Sequence, residues 1–159
     1  MAKAEHLGSA HKAAHSVQVL VVEDFEPYRE FVTSSVGKKD GLQVVDEAID
    51  GAQAVAKAQE LKPDLILLDI GLPKLNGIEA AREILAVIPG TKIIFLTQET
   101  SVEVLREAFN LGACGYVVKS RAGRDLIPAV EAVLQGNRFI SSGLDGHGLN
   151  LPKVPVESA

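Results

Sequence analysis

Four apolar runs in this sequence each stop at a residue able to do polar chemistry. Residues 17–22, with Gln18 as the only polar member, give way to Glu23 and Asp24. Residues 65–68 stop at Asp69, residues 93–96 at Thr97, and residues 116–118 at Lys119. Carboxylates, a hydroxyl and an ammonium thus hold the same place relative to a run, although they lie far apart along the chain. Carboxylates gathered in a small space repel one another, which is costly unless a cation joins them. Carboxylate oxygens with room for water suit Mg²⁺, a hard ion that keeps part of its water shell. One of the carboxylates can then act as a nucleophile towards phosphorus. Phosphoryl transfer needs little beyond alignment and neutralisation of the equatorial oxygens. The cation would serve one oxygen, the Lys119 ammonium a second and the Thr97 hydroxyl a third. A backbone N–H just after Asp69 would help. Gly71 has no side chain, so its carbonyl could come close to the metal.

That chemistry requires a fold that brings the run ends together. The runs are short, rich in β-branched residues and lack polar alternation, as in parallel strands covered on both faces. Residues 42–45 form a weaker fifth run. Between the runs, apolar residues recur at helical spacing: Tyr28, Phe31, Val32 and Val36; Ala52, Val55 and Ala56; Ala81, Ile84, Leu85 and Ile88; Val104, Ala108 and Leu111; Ile127, Val130 and Leu134. Gly37, Gly41, Pro63, Pro89-Gly90, Gly112 and Gly136 fall between these elements. Pro128 lies inside the last helical pattern, where its missing N–H should kink or weaken the first turns. Alternating strands and helices imply a parallel sheet with helices on both faces. In such a sheet ligands bind outside the carboxyl ends of the strands, so the polar residues ending the runs share one edge.

The bulk properties narrow the function classes. The chain has 159 residues, 47% hydrophobic and 23% charged, which suits one globular domain. A net charge of -5 argues against nucleic-acid binding by the chain as a whole. Cys114 is the only cysteine, so no internal disulfide can form. No apolar run approaches the ~20 residues of a membrane span, and the N-terminus lacks a secretory apolar stretch. A cytoplasmic protein is expected. Residues 1–16 read as a flexible leader holding His6, His11 and His15, residues 17–140 as the domain, and residues 141–159 as a tail broken by glycine and proline.

The motifs have a family likeness. Residues 19–24 (VLVVED), 63–73 (PDLILLDIGLP), Asn76-Gly77, 93–97 (IIFLT) and 112–119 (GACGYVVK), in that order, make the chain resemble a response-regulator receiver domain of the CheY-like superfamily. The stretch at 112–116 and the ending at 136–140 (GNRFI) are similar to receivers of the NarL/FixJ type. The resemblance implies a flavodoxin-like, doubly wound α/β fold whose five parallel strands follow the order 2-1-3-4-5. It implies that Asp69 is the phospho-acceptor. Glu23, Asp24, Asp69 and the Gly71 carbonyl would hold Mg²⁺, and Thr97 and Lys119 would bind the phosphoryl group. Tyr116 would swing inward when Thr97 moves. The donor would be a phosphohistidine on a sensor histidine kinase or phosphotransfer protein. The output would be a downstream protein contact or a homodimer. Such receivers catalyse only their own phosphorylation and slow dephosphorylation, and are not classed as enzymes. Two positions depart from the pattern: Gln98 stands where a smaller residue is usual, and Ser120 where many receivers carry proline.

Three other readings compete. A Mg²⁺-dependent phosphatase of similar architecture would carry a second Asp shortly after the nucleophile, but Gly71 stands two residues on. NarL/FixJ-type regulators continue into a helix-turn-helix domain, so the chain could be the receiver fragment of a DNA-binding regulator; the expectation is that this chain does not itself bind DNA. A pseudo-receiver is disfavoured because every expected site position is filled. Taken singly, Asp69 could cap a helix, Cys114 is a small core residue, and Arg121 and Arg124 form a solvated helix start or part of a dimer face.

Overall fold

A computed structural model of the chain describes residues 16–98 and 100–141. The expected leader and tail, with His6, His11 and His15, lie outside the described residues except for Ser16 and Ser141. The elements run β1 (Val17–Val22), α1 (Glu26–Gly37), β2 (Leu42–Ala48), α2 (Gly51–Leu61), β3 (Leu65–Asp69), α3 (Gly77–Val87), β4 (Lys92–Thr97), α4 (Val102–Leu111), β5 (Gly115–Val118), a 3₁₀ turn (Lys119–Arg121), α5 (Ala122–Leu134) and β6 (Phe139–Ile140).

All strand pairs are parallel, in the order β2-β1-β3-β4-β5-β6. The expected order of the first five holds, and a sixth short strand extends the edge. Gly115 pairs with Phe139 and Tyr116 with Ile140.

The central strands sort their side chains by the two-residue period of an extended chain. Leu20, Val22, Ile66, Leu68, Ile93, Phe95 and Tyr116 pack with α2, α3 and α4. Val19, Val21, Leu65, Leu67, Ile94, Leu96 and Val117 pack with α1 and α5. A core on each face explains why these runs lack polar alternation.

Side-chain caps start three of the helices. Asp50 accepts from Gln53 N at α2, Asn76 from Glu79 N at α3, and Ser101 from Glu103 N and Val104 N at α4. Helix α1 has no side-chain cap and begins with Glu26-Pro27, proline being well placed in a first turn.

Several helix faces differ from the periodic reading. In α2 the buried alanines are Ala54 and Ala58, while Ala52 and Ala56 are exposed. In α5 burial centres on Leu126, Ala129, Val130 and Val133, and Ile127 is half-buried. Phe31 of α1 is exposed. Alanine is apolar enough to mark a stripe and small enough to tolerate solvent, so Ala-rich helices define their faces poorly. Helix α5 runs through Pro128, which lies on the exposed side; the Arg124 carbonyl that loses its N–H partner belongs to an exposed residue.

Candidate functional site

The order of the sheet reverses at β1, where the chain steps first to β2 and then across to β3. Ligand crevices form at such switch points, beyond the carboxyl ends of the strands. Glu23 and Asp24 follow β1, Asp69 ends β3, Thr97 ends β4 and Lys119 follows β5. All of them line one open cleft of about 920 Å³, together with Phe25, Tyr28, Gly71, Gln98, Thr100 and Ser120. The fold therefore brings together the residues that end the four strong runs.

Distances are short within the cleft. Glu23, Asp24 and Asp69 each offer a carboxylate oxygen, all within 4.8 Å of one another. The Lys119 ammonium lies 2.7 Å from Glu23 Oε1 and 3.4 Å from Asp69 Oδ2. The Gly71 N–H donates to Asp69 Oδ1 at 3.2 Å. Thr97 is buried, and its strand register sets it beside Val118. Phe25 N–H donates to Glu23 Oε2 at 3.0 Å.

Burial raises the pKa of Asp69 first of all. The Lys119 charge opposes that shift and Asp24 adds to it. Glu23, 1% exposed, is raised by burial against the pull of Lys119 and the Phe25 N–H, with Asp69 pushing the same way as burial. These directions are those of carboxylates short of positive charge. The acids fit a divalent cation on two grounds. Their oxygens are hard donors within 4.8 Å of one another, and three carboxylates here face the single ammonium of Lys119.

Gly71 and Gly77 differ in what they require. A Cβ built on Gly71 meets nothing within 4 Å, so the protein itself does not demand glycine there. A Cβ on Gly77 would sit 2.1 Å from the Asp69 carbonyl oxygen, so the first turn of α3 can press against the end of β3 only with glycine. The Gly77 N–H donates to the Ile70 carbonyl at 2.7 Å and fixes that approach.

Tyr116 is fully buried in the core beneath α3 and α4. The Lys119–Ser120 peptide bond is trans. Cys114 is half-buried, less enclosed than the core position expected of it. Arg121 is half-buried in the 3₁₀ turn, and Arg124 is exposed beside Asp125.

Sequence reasoning missed two neighbours of the acids. Arg29 donates to the Glu23 carbonyl at 3.0 Å and to Glu47 Oε1 at 2.9 Å. Tyr28 donates its hydroxyl to the Lys119 carbonyl at 3.2 Å, and its ring lies 4.8 Å from the Lys119 ammonium. The Tyr28 phenol is pushed up to about 12 by burial and then by the charges of Glu23 and Asp69, so it remains a donor at neutral pH. The available signal was position: the first turns of α1 directly follow the acidic pair.

Comparison with known proteins gives a consistent pattern. Residues 19–131 match the family described as the response regulator receiver domain. The response regulator GacA of Pseudomonas viridiflava is 35% identical over 125 residues, which are 79% of this chain and 58% of that protein. The DNA-binding transcriptional activator DevR/DosR of Mycobacterium tuberculosis is 37% identical over 126 residues, again 79% and 58% of the two chains. The chain thus spans less than two thirds of the length of these curated relatives. The crystal structure of a two-component response regulator of the LuxR family from Aurantimonas sp. SI85-9A1 superposes with a TM-score of 0.78 at 32% identity, covering 82% of this chain and 93% of that one.

Proposed function

The chain belongs to the response regulator receiver family, and from that membership we propose that Asp69 accepts a phosphoryl group at the acidic edge of the sheet. The observation that carries this reading is the joint grip of one ammonium on two acids, with Lys119 against both Asp69 and Glu23. An Asp69 oxygen attacks phosphorus and forms a new P–O bond. The bond from phosphorus to the donor breaks, and its electron pair leaves on the donor's imidazole nitrogen, or on acetate when acetyl phosphate is the donor. Lys119 stabilises the charge gathering on the phosphoryl oxygens, and the Thr97 hydroxyl donates to another of them. Glu23, Asp24, Asp69 and the Gly71 carbonyl are the groups that would hold Mg²⁺, which when bound supplies the positive charge this pocket lacks.

The donor is a sensor histidine kinase or phosphotransfer protein, and the setting is cytoplasmic. Among the described residues no helix is long and apolar enough to cross a membrane. Phosphate on Asp69 draws Thr97 and Lys119 towards it and biases the surface formed by α4 and β5, with Tyr116 held inward, so that a protein partner or a second copy binds there. Incubation with acetyl phosphate and Mg²⁺, followed by intact-mass measurement, tests the reading. One added phosphoryl group is expected on wild type and none on Asp69→Asn. Equal labelling of the two rules it out.

The greater length of the relatives favours a second reading, in which this receiver governs a DNA-binding module on a longer polypeptide. An open reading frame that continues past codon 159 into a helix-turn-helix pattern would support it.

A further inference from the structure

We propose that Tyr28 is a positioning residue for Lys119, holding that side chain at both ends so that its ammonium stays within reach of the acceptor carboxylate. The inference rests on the phospho-acceptor reading above and adds to it a residue outside the acidic edge.

Lysine carries its charge on a flexible four-carbon stem, and fixing it costs rotamer entropy. Something must hold it where two acids compete for it. The ammonium is nearer to Glu23, at 2.7 Å, than to Asp69, at 3.4 Å. Those two contacts alone leave the ammonium free to drift away from the acceptor on its flexible stem.

Tyr28 provides a third constraint, from the helical side of the cleft. Its hydroxyl fixes the root of the residue through the Lys119 carbonyl at 3.2 Å. Its ring face fixes the tip, 4.8 Å from the ammonium and inside the ~6 Å range of a cation–π contact. One rigid side chain therefore spans the flexible one. The Lys119 carbonyl also accepts the Ala122 N–H at the start of α5, so the hydroxyl bond ties α1 to the loop that carries the lysine. Tyr28 is itself held in place. Its ring packs against Phe31, 5.4 Å between centroids, and lies on the core between the sheet and α1.

Simple packing would make Tyr28 a stability residue with no bearing on the lysine, and labelling rates together with Mg²⁺ affinity separate the two roles. In the full chain, Tyr28→Leu should slow labelling by acetyl phosphate roughly tenfold, the worth of a partly desolvated cation–π contact plus a hydrogen bond. Its Mg²⁺ affinity, read by calorimetry without phosphate, should stay within about twofold of wild type. Tyr28→Phe keeps the ring and the fold and should slow labelling roughly fivefold, the worth of one hydrogen bond. In a Lys119→Gln background Tyr28→Leu should bring no further loss, because the side chain it positions is gone.

A Tyr28→Phe rate equal to wild type overturns the proposal. So does a Tyr28→Leu loss matched by an equal loss of Mg²⁺ affinity, or an undiminished loss in the Lys119→Gln background. Absence of labelling in wild type would instead remove the phospho-acceptor reading on which the inference stands.

Discussion

Asp69 and Glu23 hold their protons more tightly than ordinary carboxyls, and burial is the first cause of both shifts. A folded-state pKa above the unfolded one means that the stabilising contribution is present below the ordinary carboxylate range and is lost as pH rises through the folded value. At neutral pH both groups therefore weaken the cation-free fold. Asp69→Asn, which removes one of these charges, should raise the cation-free melting temperature at pH 7, and the gain should shrink as pH falls and wild-type Asp69 takes up its proton. Thermal scans at several pH values check this. The same protons compete with a cation. Mg²⁺ affinity should fall as pH drops, beginning above the ordinary aspartate value of 3.8, and calorimetric titration across that range measures it. These acids could be read from the sequence because each ends an apolar run, and a parallel sheet places run ends on one edge. Tyr28 and Arg29 could not: helical period assigns a residue to a face but does not name what stands opposite.

Between β3 and α3 the chain makes its tightest approach at the site. A methyl group on Gly77 would lie 2.1 Å from Asp69 O and 2.7 Å from Ile70 Cα, both backbone atoms unable to give way cheaply. Gly77→Ala should therefore destabilise the fold by about 1–3 kcal/mol, as overpacking does. It should also slow the proposed labelling of Asp69, because relief of the clash has to move the strand end that carries this carboxylate. Gly71→Ala is the matched control for stability. Its added methyl meets no protein atom within 4 Å, so the change should stay within about 0.5 kcal/mol. Denaturant unfolding of the two variants separates them. Element order was readable from the alternation of runs and stripes. Helix faces were less so, as α2 shows: Ala52 and Ala56 match the stripe but are exposed, while Ala54 and Ala58 are buried. Strand β6 is only Phe139–Ile140, too short for any period to mark; its hydrogen bonds to β5 create it.

Taken as a molecule, the first strand and the segment after the last strand of the described residues both serve the same small region. Strand β1 enters at Val17 and delivers Glu23 and Asp24, while the last described residue, Ser141, closes on the strand that delivers Lys119. Ser141 is fully buried. Its N–H donates to the Tyr116 carbonyl at 2.9 Å. Its hydroxyl accepts from the Val118 N–H at 3.0 Å and donates to Asp125 Oδ2 at 2.9 Å. One serine thus joins β5, α5 and the departing chain one residue before Lys119. Loss of the hydroxyl would strand a buried N–H and a buried carboxylate oxygen, and each unsatisfied group costs about 1–3 kcal/mol. Ser141→Ala should lower the melting temperature by several degrees, at a few degrees per kcal/mol for a domain of this size. Asp125→Ala should cost less once Ser141 is already alanine, because the two share one bond and their effects cannot add. A double-mutant cycle on thermal stability measures that coupling. Full additivity would mean that the two side chains act separately, and that the chain leaving β6 is held by its backbone alone.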